Sequence, residues 1–173
     1  MRSEDQWLLV FLRGCKWSLQ RSKEKIDYFY TVRTLIPELF LNRDPFSDDL
    51  QKFLTKGVVY PLPNTYKDGS KIFFYHYENI DIATMPLVNL FKLLLMLVDL
   101  LLEEDDNLVI CGITILIDAA KLPLPYLLQF TPTLMKKIIL CLQHAYPIRI
   151  KNVVVLNSIS GLNKVYDTLC KPF

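Results

Sequence analysis

His76 and His144 are the chain's two histidines; they stand far apart, and neither sits in an HExxH pattern. The four cysteines, Cys15, Cys111, Cys141 and Cys170, are scattered with no CxxC pair, so zinc-ligand spacing is absent. Five glycines, Gly14, Gly57, Gly69, Gly112 and Gly161, lie too far apart to form GxGxxG or a phosphate-binding loop. No metal and no cofactor is expected. Asp118 ends the apolar run "ITILID", where α/β enzymes often keep a catalytic carboxylate. The alternative is an aspartate that opens the turn before "AAKLPLP". With no nucleophile–base pair to accompany it, the turn role is preferred and no enzymatic activity is expected.

The stretch "YPIRIKNVVVLN" poses a different question. Val153 to Leu156 read as a buried strand, but the segment before them alternates. In an extended chain Ile148 and Ile150 face one side, and Arg149 and Lys151 the other. Two cations on one face are either a solvated strand end or an anion contact. Bulk charge does not decide between them, because the formal net charge of the 173 residues is only +2. That balance, with a pI near 8.3, also argues against a nucleic-acid binder.

Hydrophobic residues make up 51% of the chain and charged residues 22%, enough apolar material for a substantial core. The opening "MRSEDQWLLVFLRG" lacks a signal peptide's order of basic, apolar and small-residue regions, and unpaired cysteines fit reduced thiols in the cytosol. The greasiest segment, "LVNLFKLLLMLVDLLLEEDD", has its longest unbroken apolar run at Leu93 to Val98, far short of the roughly 18 residues that span a bilayer. Asn89, Lys92, Asp99 and Glu103 share one helical face, which predicts a helix with a broad apolar side and a narrow polar stripe.

These residues must be positioned by a helical first unit and an alternating second one. Ser3 and Gln6 have capping-box spacing before a short helix ended at Gly14. A second helix follows and is broken by Pro37, and a third runs from Ser47 to about Lys56 with Asp48 and Asp49 in its first turn. After Gly57 the composition turns β-branched and aromatic, with an Asp68-Gly69 turn before Lys71 to Tyr77. Then come a helix over 84–104, a strand at "CGITILID", two helices within 123–145, a strand at "NVVVLN" and a helix from Gly161. The two helices are separated by Thr131 as N-cap and Pro132 at N1. Helix–strand alternation with continuously apolar strands predicts an α/β fold with a parallel or mixed sheet and right-handed crossovers. The expected units are 1–56, helical, and 57–173, α/β.

Phe91, Leu94, Leu95 and Val98 repeat at helical spacing, as do Ile138, Cys141 and Leu142, while Ile113, Ile115 and Ile117 alternate along a strand. Such patterns fit either a filled core or the wall of an enclosed cavity.

The pieces "FLRGCKWS", "QFTPTLMKKI" and "YPIRIKNVVVLN…KPF", in that order, resemble the CRAL-TRIO (Sec14-like) lipid-binding family. The branch is that of α-tocopherol transfer protein, cellular retinaldehyde-binding protein and their insect homologues. The resemblance covers essentially the whole chain. It implies a non-enzymatic carrier that takes one hydrophobic small molecule through the cytoplasm and exchanges it at membranes it touches transiently. The sheet would floor a hydrophobic pocket. By matching positions its walls would be Phe91, Leu94, Val98, Ile113, Ile117, Ile138, Cys141, Leu142, Ile150 and Val153. The resemblance also assigns Arg149 and Lys151 to phosphoinositide binding at the membrane surface. Relatives commonly carry a further phosphate-binding arginine where this chain has Cys15, so that contact is lost or passed to Lys16. In the family the "KPF" run leads into an amphipathic gate helix and final strands that these 173 residues do not contain, so a C-terminally truncated domain is expected. A second expectation follows: a docking or protein-interaction fragment that keeps the fold without cargo.

Overall fold

A computed structural model describes residues 4–78 and 80–158; Ser3 of the capping box and the helix expected from Gly161 lie outside the described residues. Acidic Glu4 and Asp5 open α1 (Glu4–Gly14), and Arg13 sits in its last turn, the order that suits the helix dipole. Ser18 caps α2 (Leu19–Leu35), its hydroxyl accepting from the Arg21 amide. Pro37 both ends that helix and starts the next, standing at the first position of α3 (Pro37–Phe40), where its missing N–H is no loss. α4 (Asp48–Lys56) closes the helical unit. Trp7, Phe11 and Phe29 meet edge to face with ring centroids 5.3–5.4 Å apart, which locks α1 to α2.

β1 (Val59–Thr65) and β2 (Lys71–His76) form an antiparallel hairpin, and the Asp68 carboxylate accepts the Ser70 amide to shape the turn. Pro61 and Pro63 leave β1 suited only to an edge. α5 (Leu87–Glu104) is followed by a separate helix that the sequence pattern did not predict, α6 (Asp106–Cys111), capped by Asp105 on the Asn107 amide. Cys111 therefore ends a helix, and β3 (Ile113–Asp118) begins after Gly112. α7 (Leu124–Leu127) and α8 (Pro132–Ile139) match the two helices expected, with the Thr131 hydroxyl accepting from Leu134. α8 runs without a break into a π-helical stretch, Leu140–Ala145, which the pattern also did not predict, and then β4 (Ile150–Leu156).

The sheet order is β1-β2-β3-β4; β1 pairs antiparallel with β2, and β2, β3 and β4 are parallel, so the sheet is mixed. β2, β3 and β4 follow one another in chain order, so the right-handed sense that parallel crossovers adopt carries α5–α6 and α7–α8 over the same side. Phe73, Tyr75 and Ile113 face that side and join the helical core.

Asp99, expected on the polar stripe of α5, ties that helix to α2 and to the loop after α3. One oxygen takes Arg33 of α2 at 3.1 Å and the other takes Arg43 at 2.7 Å. Arg33 also lies over the Phe29 ring, 3.5 Å from its centroid, and donates to the Tyr146 hydroxyl. All three charged side chains are only 20–26% exposed. Asp99→Ala leaves two half-buried guanidiniums without a counter-charge and is expected to cost about 2–3 kcal/mol. A urea titration should show the midpoint falling by roughly 1 M; an unchanged midpoint would mean that the arginines are satisfied elsewhere.

Candidate functional site

Gly14 is where α1 meets the chain entering β4. A Cβ there would stand 2.8 Å from Pro147 Cβ and nearer still to its carbonyl oxygen, so only glycine permits the approach. The contact sets Cys15 and Lys16 beside Ile148 and Arg149. Between them lies a cavity of about 530 Å³, lined by Gly14, Cys15, Lys16, Arg21, Lys25, Leu142, Gln143, Ile148, Arg149, Ile150 and Lys151. Among the described residues its lining holds five cations and no carboxylate. Lys16, Arg149 and Lys151, singled out by resemblance, are thus brought together. Arg21 and Lys25 were missed, although they stand one helical turn apart just beyond "FLRGCK" and could have been flagged on that spacing.

The five cations are not equivalent. Lys25 donates to the Gln143 and Tyr146 carbonyls at the end of the π-helical stretch, and burial lowers its pKa. Arg149 donates from Nη2 to the Val109 and Ile110 carbonyls in the last turn of α6, while its buried Nε has no partner among the described residues. Lys16 and Lys151 are exposed at the cavity. Lys151 also sees Asp68, whose carboxyl is held below the usual range chiefly by the Ser70 hydroxyl and amide, with Asn152 and Lys151 adding to the effect.

Plain alternation along β4 would put Ile150 and Val153 on opposite faces of the sheet. The structure does otherwise, because the register steps from Ile113↔Ile150 to Thr114↔Asn152 and leaves Lys151 as an extra residue. Ile150 then shares a face with Val153 and Val155, opposite Ile113, Ile115 and Ile117. Gly112, at φ +83°, makes room for the bulge, since a Cβ there would lie 2.5 Å from the Arg149 carbonyl oxygen and 3.2 Å from Lys151 Cγ.

Of the ten expected pocket residues, Leu94, Val98, Ile113, Ile138, Cys141 and Leu142 are buried in one core cluster, and Phe91, Ile117 and Ile150 pack half-buried against it. Val153 is half-buried in β4. Leu142 and Ile150 also reach the wall of the cationic cavity. The hydroxyl of fully buried Tyr126 has no partner among the described residues.

Asp118 takes the turn role. Its carboxylate accepts from the Ala120 amide at 3.0 Å and from Asn157 Nδ2 at 2.8 Å. The Asn157 hydrogen bond first, then the amide, lowers its pKa, opposite to what a general acid needs. A second cavity of about 300 Å³ beside it is lined by Tyr60, Phe74, His76, Tyr77, Glu78, Asp118, Ala120 and Lys121, with no hydroxyl or thiol nucleophile of Ser, Thr or Cys type. Among the described residues there is no cluster of His, Cys, Asp and Glu able to hold a metal ion, and no helix is long and apolar enough to cross a membrane.

Burial pushes the Cys141 thiol up to about 12. It should therefore resist iodoacetamide at pH 8.5 until the protein unfolds. In the unfolded chain the thiol ionises near 9 while the folded thiol keeps its proton, so its contribution to stability is lost as pH climbs from about 9 towards 12. The difference in urea midpoint between the wild type and Cys141→Ala should shrink over that range; rapid alkylation of native Cys141 would contradict the assignment.

Comparison with known proteins places these features in a family. Residues 1–50 match the Pinta-like UBA domain model, and residues 55–173 match the CRAL/TRIO domain model. Human "Alpha-tocopherol transfer protein-like" is 28% identical over 170 residues, covering 98% of this chain and 48% of that protein. Clavesin-1 of Xenopus laevis is 25% identical over 173 residues, covering 100% of this chain and 52% of its own length. Clavesin-2 of Rattus norvegicus is 22% identical, with the same coverage of both chains. The chain spans about half the length of the curated relatives it matches. With the matched region covering the mixed sheet, its crossover helices and the strand that carries Arg149 and Lys151, the chain belongs to the CRAL/TRIO domain family.

Proposed function

We propose that the chain binds one small hydrophobic molecule, a tocopherol-, retinoid- or phospholipid-like lipid, and moves it between membranes without chemical change. In this reading the cationic cavity recognises phosphoinositide headgroups during transient membrane contact, with residues 1–56 as the helical unit and 57–173 as the lipid-binding domain. The observation that carries it is the mixed lining of the cavity. Leu142, Ile148 and Ile150 form its wall beside Lys16, Arg21, Arg149 and Lys151. A lining that holds both cations and aliphatic groups matches an amphiphile.

Two further facts support the reading. Ile115, Ile117, Val153 and Val155 continue from Ile150 along the helix-facing side of the sheet and are only half-buried, so apolar surface remains there. One group of relatives also carries the name of a tocopherol transfer protein. The magnitudes are adequate. A vitamin-sized cargo burying on the order of 500 Å² of apolar surface has a gross gain of about 12 kcal/mol before the costs of association. Each cation near an anionic surface adds about 1 kcal/mol. A second reading, a docking fragment without cargo, is favoured by the burial of Leu94, Val98, Ile138, Cys141 and Leu142 within the core.

Native mass spectrometry of the intact chain purified from eukaryotic cells separates the two. The transfer reading expects a stoichiometric lipid adduct, which Ile117→Trp displaces while the urea midpoint holds; a bare, folded mass favours the fragment. Headgroup recognition is better tested away from Arg149, whose loss also uncaps α6. Lys16→Glu/Lys151→Glu should weaken binding to vesicles containing phosphatidylinositol bisphosphate at least thirtyfold, since two favourable contributions are removed. A double variant that sediments with such vesicles as the wild type does would falsify the cavity's assignment.

A further inference from the structure

The turn between α1 and α2 adopts a conformation that its residues do not favour. Lys16 at φ +53° and Trp17 at φ +64° are successive non-glycine residues in the left-handed region. Hydrogen bonds hold them there: Lys16 N–H donates to the Arg13 carbonyl at 3.1 Å, Trp17 N–H to Leu12 at 2.7 Å and Ser18 N–H to Cys15 at 3.2 Å. Backbone strain of this kind persists only where the surroundings impose it, and it collects at sites that bind.

The strained turn turns an indole outward. Trp17 is 65% exposed and Leu19, at the start of α2, is 62% exposed. The chain's other tryptophan, Trp7, shows the contrast, packed edge to face between Phe11 and Phe29. Lys16 and Arg21, which flank these two side chains in sequence, both line the cationic cavity. An exposed indole and an aliphatic side chain thus sit in the same short segment as cations that line a cavity with no acidic residue among the described ones. Tryptophan is most favourably placed at the boundary between water and lipid, with its ring in the headgroup layer, and cations reinforce it where the surface is anionic.

We infer that Trp17 and Leu19 form an interfacial anchor that seats the mouth of the cationic cavity on an anionic bilayer. The occupant is a lipid surface rather than a protein groove, because the apolar pair is bordered by like charges that an anionic plane neutralises together. The inference rests on the cavity being a headgroup site. It adds an orientation, with the α1–α2 turn facing the membrane, and it separates adhesion (the indole) from recognition (the cations).

A Trp7→Phe variant leaves Trp17 as the sole tryptophan of the two. On vesicles of phosphatidylcholine with phosphatidylinositol bisphosphate, its emission should shift to the blue and be quenched by lipids brominated near the headgroup. On pure phosphatidylcholine it should change little. If the Trp7 replacement unfolds the chain, the same signal is read as wild type minus Trp17→Phe. Trp17→Ser/Leu19→Ser should lose roughly tenfold in vesicle affinity. Trp17→Gly should lose affinity while its urea midpoint holds or rises, because glycine relieves the left-handed backbone. Vesicle binding with unquenched emission, or wild-type affinity in the serine variant, overturns the anchor and leaves the cavity's reading intact. A fall of affinity and urea midpoint together in Trp17→Gly assigns the indole a packing role instead. Failure of the unaltered chain to bind these vesicles at all overturns both.

Discussion

The carboxylate of Asp99 holds two guanidiniums that arrive from different parts of the helical unit, Arg33 at 3.1 Å and Arg43 at 2.7 Å, and the geometry of the cavity depends on that clamp. It fixes α2 against α5. With α2 fixed, Lys25 reaches the Gln143 and Tyr146 carbonyls, and Phe29 meets the Tyr146 ring at 5.3 Å. Those contacts set the position of Pro147, against which Gly14 closes. Every cation of the cavity stands on one of these three segments: the α1–α2 turn, α2, or the start of β4. The pair energies of exposed salt bridges are small, but here the groups are largely withdrawn from water, Asp99 holds both arginines, and Arg33 also donates to the Phe29 carbonyl and the Tyr146 hydroxyl.

The bulge at Lys151 does a second job of equal weight. One extra residue moves Ile150 onto the face of Val153 and Val155, while Lys151 itself lines the cationic cavity. In a regular strand Lys151 would share the face of Val153 and Val155 and Ile150 would lie on the other; the extra residue exchanges them, so that Ile150 continues the aliphatic floor. Gly112, just before the neighbouring strand, is the condition for it. Specificity of this sort lives in backbone irregularity rather than in any one side chain.

Much of the architecture was legible in the sequence where the cause is local. Thr131 with Pro132 marked a helix start, Asp68-Gly69 marked a turn, and the apolar runs marked parallel strands, because capping, turn chemistry and periodicity act within a few residues. α6 was hidden in the acidic run after α5, where only Asp105 announces a cap. The π-helical stretch had no signal, since nothing in "LCLQHA" dictates its wider hydrogen-bond spacing. The bulge was invisible for a further reason: the residue that makes room for it, Gly112, lies far away in sequence, between α6 and β3. Likewise Arg21 and Lys25 join Lys151 only through the approach of Gly14 to Pro147, which no single segment encodes. Asp99 read as part of a polar stripe, and its two arginine partners came from α2 and from the loop after α3, whose packing the pattern did not specify.

The bond between Lys25 and Tyr146 spans 121 positions of the chain. At ordinary rates of translation, the acceptor leaves the ribosome roughly 6–24 s after the donor, and the partner of Gly14 emerges at about the same moment. Until then α1 and α2 can close against each other but not against the segment that enters β4. The nascent chain therefore carries the face of Phe29 that meets Tyr146 uncovered for that interval. The cavity cannot assemble before the segment from Pro147 to Lys151 has emerged, because its cations stand on both sides of that interval.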